Sequence, residues 1–275
     1  AGWADARPEA PGSATVGRSG DGGGGDVRVG LTCDLGKRYD DVWLEAEREV
    51  WPLVSDVSIP CGGHAGVPRS MLLAVGEATS RSLPLGAALG YRDPASGGER
   101  FIDYHDDDLA AELLFQLGGL DSLVVSEGGR LQFVRAAGAL GEAALTDRCH
   151  AWAIVNAVLD FDDSLTVVGQ AGSRLLATAE RHGLATAVEY RPYQPVARGS
   201  GLRAAGPSPS EIAERAVEAV AAGGIDTIWL PSGTSAERAT IHAVHRALTA
   251  AGYQIASTAT AEAEAETSRV CRRAG

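Results

Sequence analysis

Short apolar segments alternate with amphipathic segments along most of this chain. The apolar segments contain few polar positions, as is typical of strands that are covered on both faces. Repeated strand–helix units predict a mainly parallel sheet with right-handed crossovers. Their number favours an α/β fold of the closed (β/α) barrel type, with seven or eight strands. The predicted strands span residues 27–33, 54–60, 83–88, 130–135, 165–169, 185–190, 225–230 and 253–257.

The segments between the strands contain helix signals. Leucine and valine recur at three- and four-residue spacing over 109–124, behind carboxylates at 106–108 that favour a helix N-terminus. A capping box of Ser208 and Glu211 with an intervening proline predicts the start of another helix, which ends at Gly223. Two more helices are predicted over residues 171–182 and 237–251, each followed by a glycine.

The two ends of the chain differ from its middle. Residues 1–26 are rich in glycine, proline, alanine and serine and lack a hydrophobic period, so we expect a flexible leader there. Residues 258–275 are rich in alanine and glutamate and are expected to form a C-terminal tail. A single barrel domain is therefore predicted over residues 27–257.

Charge and cysteine usage exclude several classes of partner. The formal net charge of −12 repels phosphate backbones, so nucleic acid is not an expected partner. No continuous apolar run reaches the roughly 18 residues that a membrane span needs, and the N-terminus lacks the pattern of a secretory signal. Four scattered cysteines predict a reduced, cytoplasmic protein. The expected partner is a small-molecule substrate, and a homo-oligomer stays open.

Polar residues just past the predicted strands are the candidates for function, because parallel strands bring their carboxyl ends to one rim. Asp34 follows the first strand and would be a general base or a substrate anchor; a cap or turn role is the alternative. His64 lies in a glycine-rich loop that allows close approach of a ligand. Together Asp34 and His64 could supply base and acid, and they are the predicted catalytic residues.

The other candidates are assigned to substrate binding. Cys61 could be a nucleophile beside His64, although a buried thiol is favoured. Glu189 and Arg191 either bind a substrate carboxylate or form an internal ion pair. The remaining predicted binding residues are Tyr91, Asp93, Arg135 and Tyr193.

The sequence predicts neither a metal nor another cofactor. It contains no Gly-x-x-x-x-Gly-Lys-Ser/Thr phosphate loop and no Gly-x-Gly-x-x-Gly after a strand. His64 is the one histidine among the predicted rim segments, whereas a metal needs several convergent histidine or carboxylate ligands. Any dependence on ATP would have to come from a partner protein.

The rim segments resemble a known family. CDLG, PCGGHAGVP, GAALGYRD, VRAAGALG, VVGQAGS and YRPYQP occur in the order and spacing of the 5-oxoprolinase A-subunit (LamB/YcsF-like) family, over roughly residues 27–256. The resemblance implies a (β/α) barrel related to the glycoside hydrolase/deacetylase superfamily. It also implies ATP-dependent opening of 5-oxoproline to glutamate, carried out together with two partner subunits.

The resemblance is incomplete at the positions that would perform this reaction. It matches Asp34, His64, Tyr91, Asp93, Glu189, Arg191 and Tyr193 to family positions. At other positions the family's polar residues are replaced. Ala88 and Leu89 take the place of His-Pro, and Arg135 to Ala137 take the place of Lys-Pro-His. Gly141 replaces a tyrosine, Lys37 replaces a glutamate, and Leu230 to Gly233 replace Val-His-Gly-Asp. Lost histidines and lysine remove proton-transfer groups, and small or apolar replacements suit a larger, less polar ligand.

Three functions follow as hypotheses. The first is a small-molecule enzyme, repurposed for a larger, less polar substrate by acid–base chemistry: lactam or amide hydrolysis, cyclisation or dehydration, in specialised metabolism. The second is an ATP-dependent 5-oxoprolinase component that works with partner subunits. The third is a ligand-binding pseudoenzyme without catalysis.

Overall fold

A computed structural model describes residues 27–37, 46–193 and 206–257. The predicted leader 1–26 and tail 258–275 lie outside these residues. Seven parallel strands form a closed ring, because β1 pairs with β2 on one side and with β7 on the other. The strands are β1 Arg28–Asp34, β2 Asp56–Pro60, β3 Leu85–Leu89, β4 Leu131–Ala136, β5 Thr166–Gln170, β6 Thr186–Tyr190 and β7 Thr227–Leu230.

An eighth strand, β8 (Gln254–Ile255), lies outside the ring. It pairs with the first two residues of β1, on the same edge that β2 occupies farther along. The prediction of a seven- or eight-stranded (β/α) barrel is thus confirmed, with seven strands in the closed ring. The predicted eighth strand, 253–257, is shorter than expected and does not take part in closure.

Seven α-helices lie wholly within the described residues, between the strands, in addition to the helical residues 46–48. All the helices predicted from the sequence are present, with shifted starts for two of them. Ser173 caps one by accepting from the Leu176 amide at 3.2 Å, and Thr234 caps another through Glu237. The helices are α1 Pro68–Ser80, α2 Asp106–Ser126, α3 Gly138–Ala143, α4 Arg148–Phe161, α5 Arg174–Arg181, α6 Pro209–Ala222 and α7 Ser235–Ala250.

Helix α2 has the length and apolar composition that a membrane-spanning helix would need. Its leucine and valine stripe, however, is fully buried in the shared core of barrel and helices, where α2 packs on α4 and β3. The composition of α2 is therefore that of a core helix covering the outside of the barrel.

Inside the barrel, side chains form two layers that differ in polarity. The lower layer joins Thr32, Asp56 and Thr227 by hydrogen bonds, and Phe133 packs with Val168 and Ala187 on its other side. The upper layer lies at the carboxyl ends of the strands and is made of charged and aromatic groups. It contains the residues described next.

Candidate functional site

A buried ion network crosses the mouth of the barrel. The Arg135 guanidinium, at the end of β4, donates from one NH to Asp34 Oδ1 on β1 at 2.8 Å. From its Nε it donates to Glu189 Oε2 on β6 at 2.9 Å. All three side chains are almost completely shielded from solvent. One planar guanidinium therefore bridges two carboxylates from strands that are not neighbours in the ring, which its fork of donors permits.

Arg191 and Trp229 extend the network toward the rim. Arg191, just past β6, donates from Nε to Glu189, so Glu189 receives both arginines. The Trp229 ring lies 4.7 Å from the Arg135 guanidinium carbon and 5.5 Å from that of Arg191, within cation–π range. Glu189 and Arg191 thus form an ion pair in this structure.

The network fixes the charge of its members. Burial opposes ionisation of Asp34, yet Arg135, Lys37 and a hydrogen bond from Ser58 outweigh it and hold the carboxyl pKa well below its usual range. Burial likewise disfavours the Glu189 anion, but Arg135 and Arg191 lower the pKa of this carboxyl. Both carboxylates are therefore charged at neutral pH.

The two oxygens of Asp34 have different environments. Oδ1 accepts hydrogen bonds from Arg135, Ser58 and the Trp229 indole at 3.2 Å, so its capacity is filled. Oδ2 faces the Lys37 ammonium at 3.5 Å. Oδ2 is accordingly the oxygen of Asp34 that is better placed to bind a water molecule or a substrate N–H.

His64 lies beside this network in a tight protein pocket. A Cβ at Gly90 would overlap His64 Nδ1, so only glycine leaves room for the ring. The Gly90 backbone is held by Gln116 of α2, whose amide donates to the carbonyl at 2.8 Å and accepts from the N–H at 3.2 Å. The α2 helix thereby fixes the loop against which the histidine packs.

The protonation of His64 follows from its burial. Desolvation lowers its pKa to about 4, against the pull of Asp34 and together with repulsion from Lys37 and Arg135. His64 is thus neutral at pH 7, and its buried Nδ1 has no hydrogen-bond partner. Asp34 acts on His64 through its charge and not through a hydrogen bond, so the predicted pair is an electrostatic one.

Cys61, which was assigned to substrate binding and favoured as a buried thiol over a nucleophile, is buried in the structure. Its Sγ donates to the Ile59 carbonyl at 3.4 Å, and burial raises the pKa of the thiol far above neutral. Cys33 is also buried, with a pKa raised for the same reason. A neutral thiol is a poor nucleophile, so the geometry supports a packing role for Cys61.

Tyr91 and Asp93 lie away from the ion network. Tyr91 is fully buried in an aromatic cluster, stacked on Tyr104 with ring centroids 6.0 Å apart. Asp93 receives two hydrogen bonds from Arg100, at 2.8 and 2.6 Å, which hold its pKa well below the usual range. In this conformation the Asp93 side chain stabilises its own loop through the ion pair with Arg100.

A cavity of about 250 Å³ adjoins the network at β6. Glu189, Arg191 and Tyr193 line it, so three predicted binding residues share one space. Several contributing residues were not predicted from the sequence: Ser58, Gln116, Trp229, Glu142 and Ser232, whose hydroxyl donates to the Asp34 carbonyl at 2.9 Å. The inward alternation of β2 and β7 was the signal that could have identified Ser58 and Trp229.

One group of potential metal ligands occurs within the described part of the chain. His105, Asp106 and Asp107 bring their ligand atoms within 4.8 Å of one another at the start of α2. They are largely exposed, lie on one short stretch of chain and do not belong to the barrel mouth. The mouth itself presents one histidine amid paired carboxylates, a poor fit to a catalytic metal.

Comparisons with known proteins agree with this architecture. The model of the LamB/YcsF family matches residues 29–264. The 5-oxoprolinase A-subunit of Mycolicibacterium gilvum is 35% identical over 207 residues, which cover 73% of this chain and 82% of the relative. That of Acinetobacter baylyi is 31% identical over 208 residues, with 74% and 82% covered.

Solved structures with the same fold include proteins of related and of unrelated sequence. A lactam utilization protein from Thermus thermophilus is 30% identical, with a TM-score of 0.75, and the match covers 84% of this chain and all of that one. A putative cellobiose-phosphate cleavage protein from Enterococcus faecalis, 9% identical with a TM-score of 0.55 over 84% and 97%, shares the fold alone. With the ordered rim motifs, these matches show that the chain belongs to the LamB/YcsF family.

Proposed function

We propose that this protein is an enzyme that uses acid–base chemistry on a small molecule with a lactam or amide bond. The observation that supports the proposal best is the pairing of unlike groups at the barrel mouth. Asp34 is held as an anion, with Oδ2 turned toward Lys37, and nearby His64 is held neutral with an unpaired Nδ1. The pKa values of both groups lie well below their usual range, and strongly shifted pKa values are typical of functional sites.

Hydrolysis illustrates how the groups would act. A water molecule attacks the carbonyl carbon through its oxygen, and neutral His64 accepts a proton from this water. The negative charge of Asp34 stabilises the imidazolium that forms. The Lys37 ammonium stabilises the developing oxyanion. The imidazolium then returns its proton to the nitrogen as the C–N bond breaks, which gives a carboxylic acid and an amine. Cyclisation is the reverse sequence, and dehydration would use the same proton transfers.

We infer that the substrate is larger or less polar than 5-oxoproline. Ala88, Ala136 and Ala137 are buried at the carboxyl ends of β3 and β4, where the family resemblance places histidine or proline. Small apolar side chains there offer a ligand few hydrogen-bond partners. A reduced, cytoplasmic setting and a substrate of specialised metabolism belong to the same proposal.

The test is turnover without ATP. Purified protein is incubated with 5-oxoproline and with larger lactams and linear amides, and mass spectrometry follows the gain of one water. His64→Gln and Asp34→Asn are each expected to lower the rate by about 100-fold or more. The matched control is His242→Gln on α7, which removes a partly exposed histidine away from the mouth and should leave the rate unchanged. Full activity of both site variants would sink the assignment.

A second candidate is an ATP-dependent 5-oxoprolinase component, favoured by the 35% identity to the 5-oxoprolinase relative from Mycolicibacterium gilvum. It predicts that glutamate forms from 5-oxoproline only when ATP and partner subunits are added. Such a result would replace the first proposal. Binding of a lactam without conversion, with or without partners, would instead identify a pseudoenzyme.

A further inference from the structure

Arg191 contacts two carboxylates, and one of them, Glu142, is far more exposed to solvent than the other. Its Nε is bound to Glu189, whose side chain is 1% exposed, and one NH₂ group lies 3.4 Å from the Ala136 carbonyl. The other NH₂ group meets Glu142 at 3.3 Å, and the Glu142 side chain is 57% exposed. Exposed ion pairs of this kind contribute little, typically about 1 kcal/mol or less. Glu142 is therefore the partner that Arg191 gives up most readily.

The charges of the network indicate what would replace Glu142. Apart from Glu142, the described ion pairs that connect through Arg135 join three cations and two carboxylates: Lys37, Arg135, Arg191, Asp34 and Glu189. Glu142 brings this sum to zero from the solvent-exposed rim. If it turned away, the network would carry one positive charge and could accept one anion.

The space for such an anion lies beside Arg191. The cavity of about 250 Å³ is lined by Glu142 and Arg191, with amide and phenol groups and two aliphatic side chains around them. Gln170, Tyr190 and Tyr193 can hydrogen-bond to a polar group, whereas Val188 and Ile225 offer apolar contact to the body of a ligand.

We propose that Arg191 and this cavity form a subsite for the carboxylate of a small ligand, and that Glu142 is a displaceable counter-ion that keeps Arg191 paired until the ligand enters. The guanidinium can keep Nε on Glu189 while the NH₂ group released by Glu142 donates to the incoming carboxylate, whereas lysine has a single ammonium group. As an account of the substrate, the inference rests on the proposed function and assigns Arg191 as the group that binds a substrate carboxylate. Binding itself does not depend on turnover.

Equilibrium binding of matched acids and amides tests the subsite. Isothermal titration calorimetry at low ionic strength compares 5-oxoproline with its carboxamide, and benzoate with benzamide. At least one acid is expected to bind wild-type protein about tenfold tighter than its amide, as a net charged hydrogen bond predicts. Glu142→Gln should tighten that acid by about two- to fivefold, because a competing ion pair is removed, and leave the amide unchanged.

Two further variants provide a control and a test of the Arg191 guanidinium. Glu218→Gln removes an exposed glutamate on α6 and should change neither ligand. Arg191→Lys should weaken the acid about tenfold, because one ammonium group cannot hold Glu189 and the ligand in the same geometry. The subsite is overturned if no acid outbinds its amide, or if Glu142→Gln leaves acid binding unchanged or shifts acid and amide alike. Selective acid binding without turnover would uphold the subsite and reject the proposed reaction.

Discussion

Arg135 determines the electrostatics of the barrel mouth more than any other described residue. It separates two buried carboxylates that would otherwise repel each other and, among the described cations, would keep only Lys37 and Arg191. A methionine has a similar length but no charge and no donor. Arg135→Met is therefore expected to lower the free energy of unfolding by about 3–5 kcal/mol, the usual cost of removing one partner from a buried ion pair. Urea unfolding at pH 7 measures this change.

The control for Arg135 lies at the start of the same strand. Arg130 immediately precedes β4 and is exposed, so Arg130→Met should change the free energy of unfolding by about 0.5 kcal/mol or less. Equal losses in the two variants would mean that the buried network contributes nothing specific. Arg135→Lys should lie between them, because it keeps the charge but cannot bridge both carboxylates.

The low pKa of His64 predicts a pH dependence of stability. The unfolded histidine takes up a proton below about pH 6.5, while the folded one stays neutral down to about 4. Stability is thus fully present above pH 6.5 and is lost as the pH falls toward 4. Between pH 7 and pH 5 the loss due to His64 is about 2 kcal/mol, at 1.36 kcal/mol per pH unit.

His64→Gln isolates this contribution, because glutamine does not titrate. Wild-type protein should lose about 2 kcal/mol more than the variant between pH 7 and pH 5 in urea unfolding. Asp34 and Glu189 do not confound the comparison, since their lowered pKa values place their losses below about pH 4.5. Parallel pH profiles of the two proteins would contradict a buried, neutral His64.

At the level of single residues, the sequence was informative about which groups reach the rim but not about their partners. Asp34, His64, Arg135 and Glu189 follow from strand ends and rim motifs. The contact from Arg135 to Asp34 spans 101 positions and crosses the barrel, so it depends on ring closure and shear. Pattern reasoning about one segment at a time does not contain that information.

At the level of secondary-structure elements, local chemistry explains what was and was not predicted. The strands agree with the apolar segments because both faces of each strand are covered. Helices α1, α3 and α4 were not predicted. The buried faces of α1 and α4 mix alanines, such as Ala74 and Ala151, with larger apolar residues, such as Val75 and Ile154. The interlocking of elements, such as Gln116 of α2 with the Gly90 loop, follows only from packing.

The contact between Gly90 and His64 supplies a prediction about how elements hold the site. Gly90→Ala would place a methyl group on top of Nδ1, so the ring or the loop must move. We expect a loss of about 1–3 kcal/mol in the free energy of unfolding, together with reduced turnover. Thermal unfolding and the lactam assay measure the two effects.

Gly119 offers the matched control within the described chain. It lies in α2 with nothing within 4 Å of an added Cβ, so Gly119→Ala should stabilise the protein by about 0.5–1 kcal/mol through helix propensity. The same chemical change thus has opposite signs at the two positions. A Gly90→Ala protein that is as stable and active as wild type would show that the loop does not position His64.

At the scale of the whole molecule, the barrel interior holds two buried aspartates whose pKa values are shifted in opposite directions. Asp34, in the upper layer, is stabilised as an anion by cations. Asp56, two residues lower in the register, is surrounded by Thr32, Ser55 and Ser257. Burial raises the pKa of Asp56, and the hydroxyl hydrogen bonds only partly oppose the rise. The mouth of the barrel thus stabilises a carboxylate anion, whereas the lower layer disfavours one.

Replacing each aspartate by asparagine separates these states. For Asp34 the folded pKa lies below the unfolded value of about 3.9, so its stabilisation is present above that pH; Asp34→Asn should cost about 1–3 kcal/mol at pH 7. For Asp56 the folded pKa is raised, so its contribution is present at low pH and is lost as the pH rises through that pKa. Asp56→Asn should therefore become more favourable relative to wild type between pH 4.5 and pH 7. Urea unfolding at both pH values gives the two differences, and a loss at pH 7 as large as that of Asp34→Asn would mean that Asp56 also stabilises the barrel as an anion.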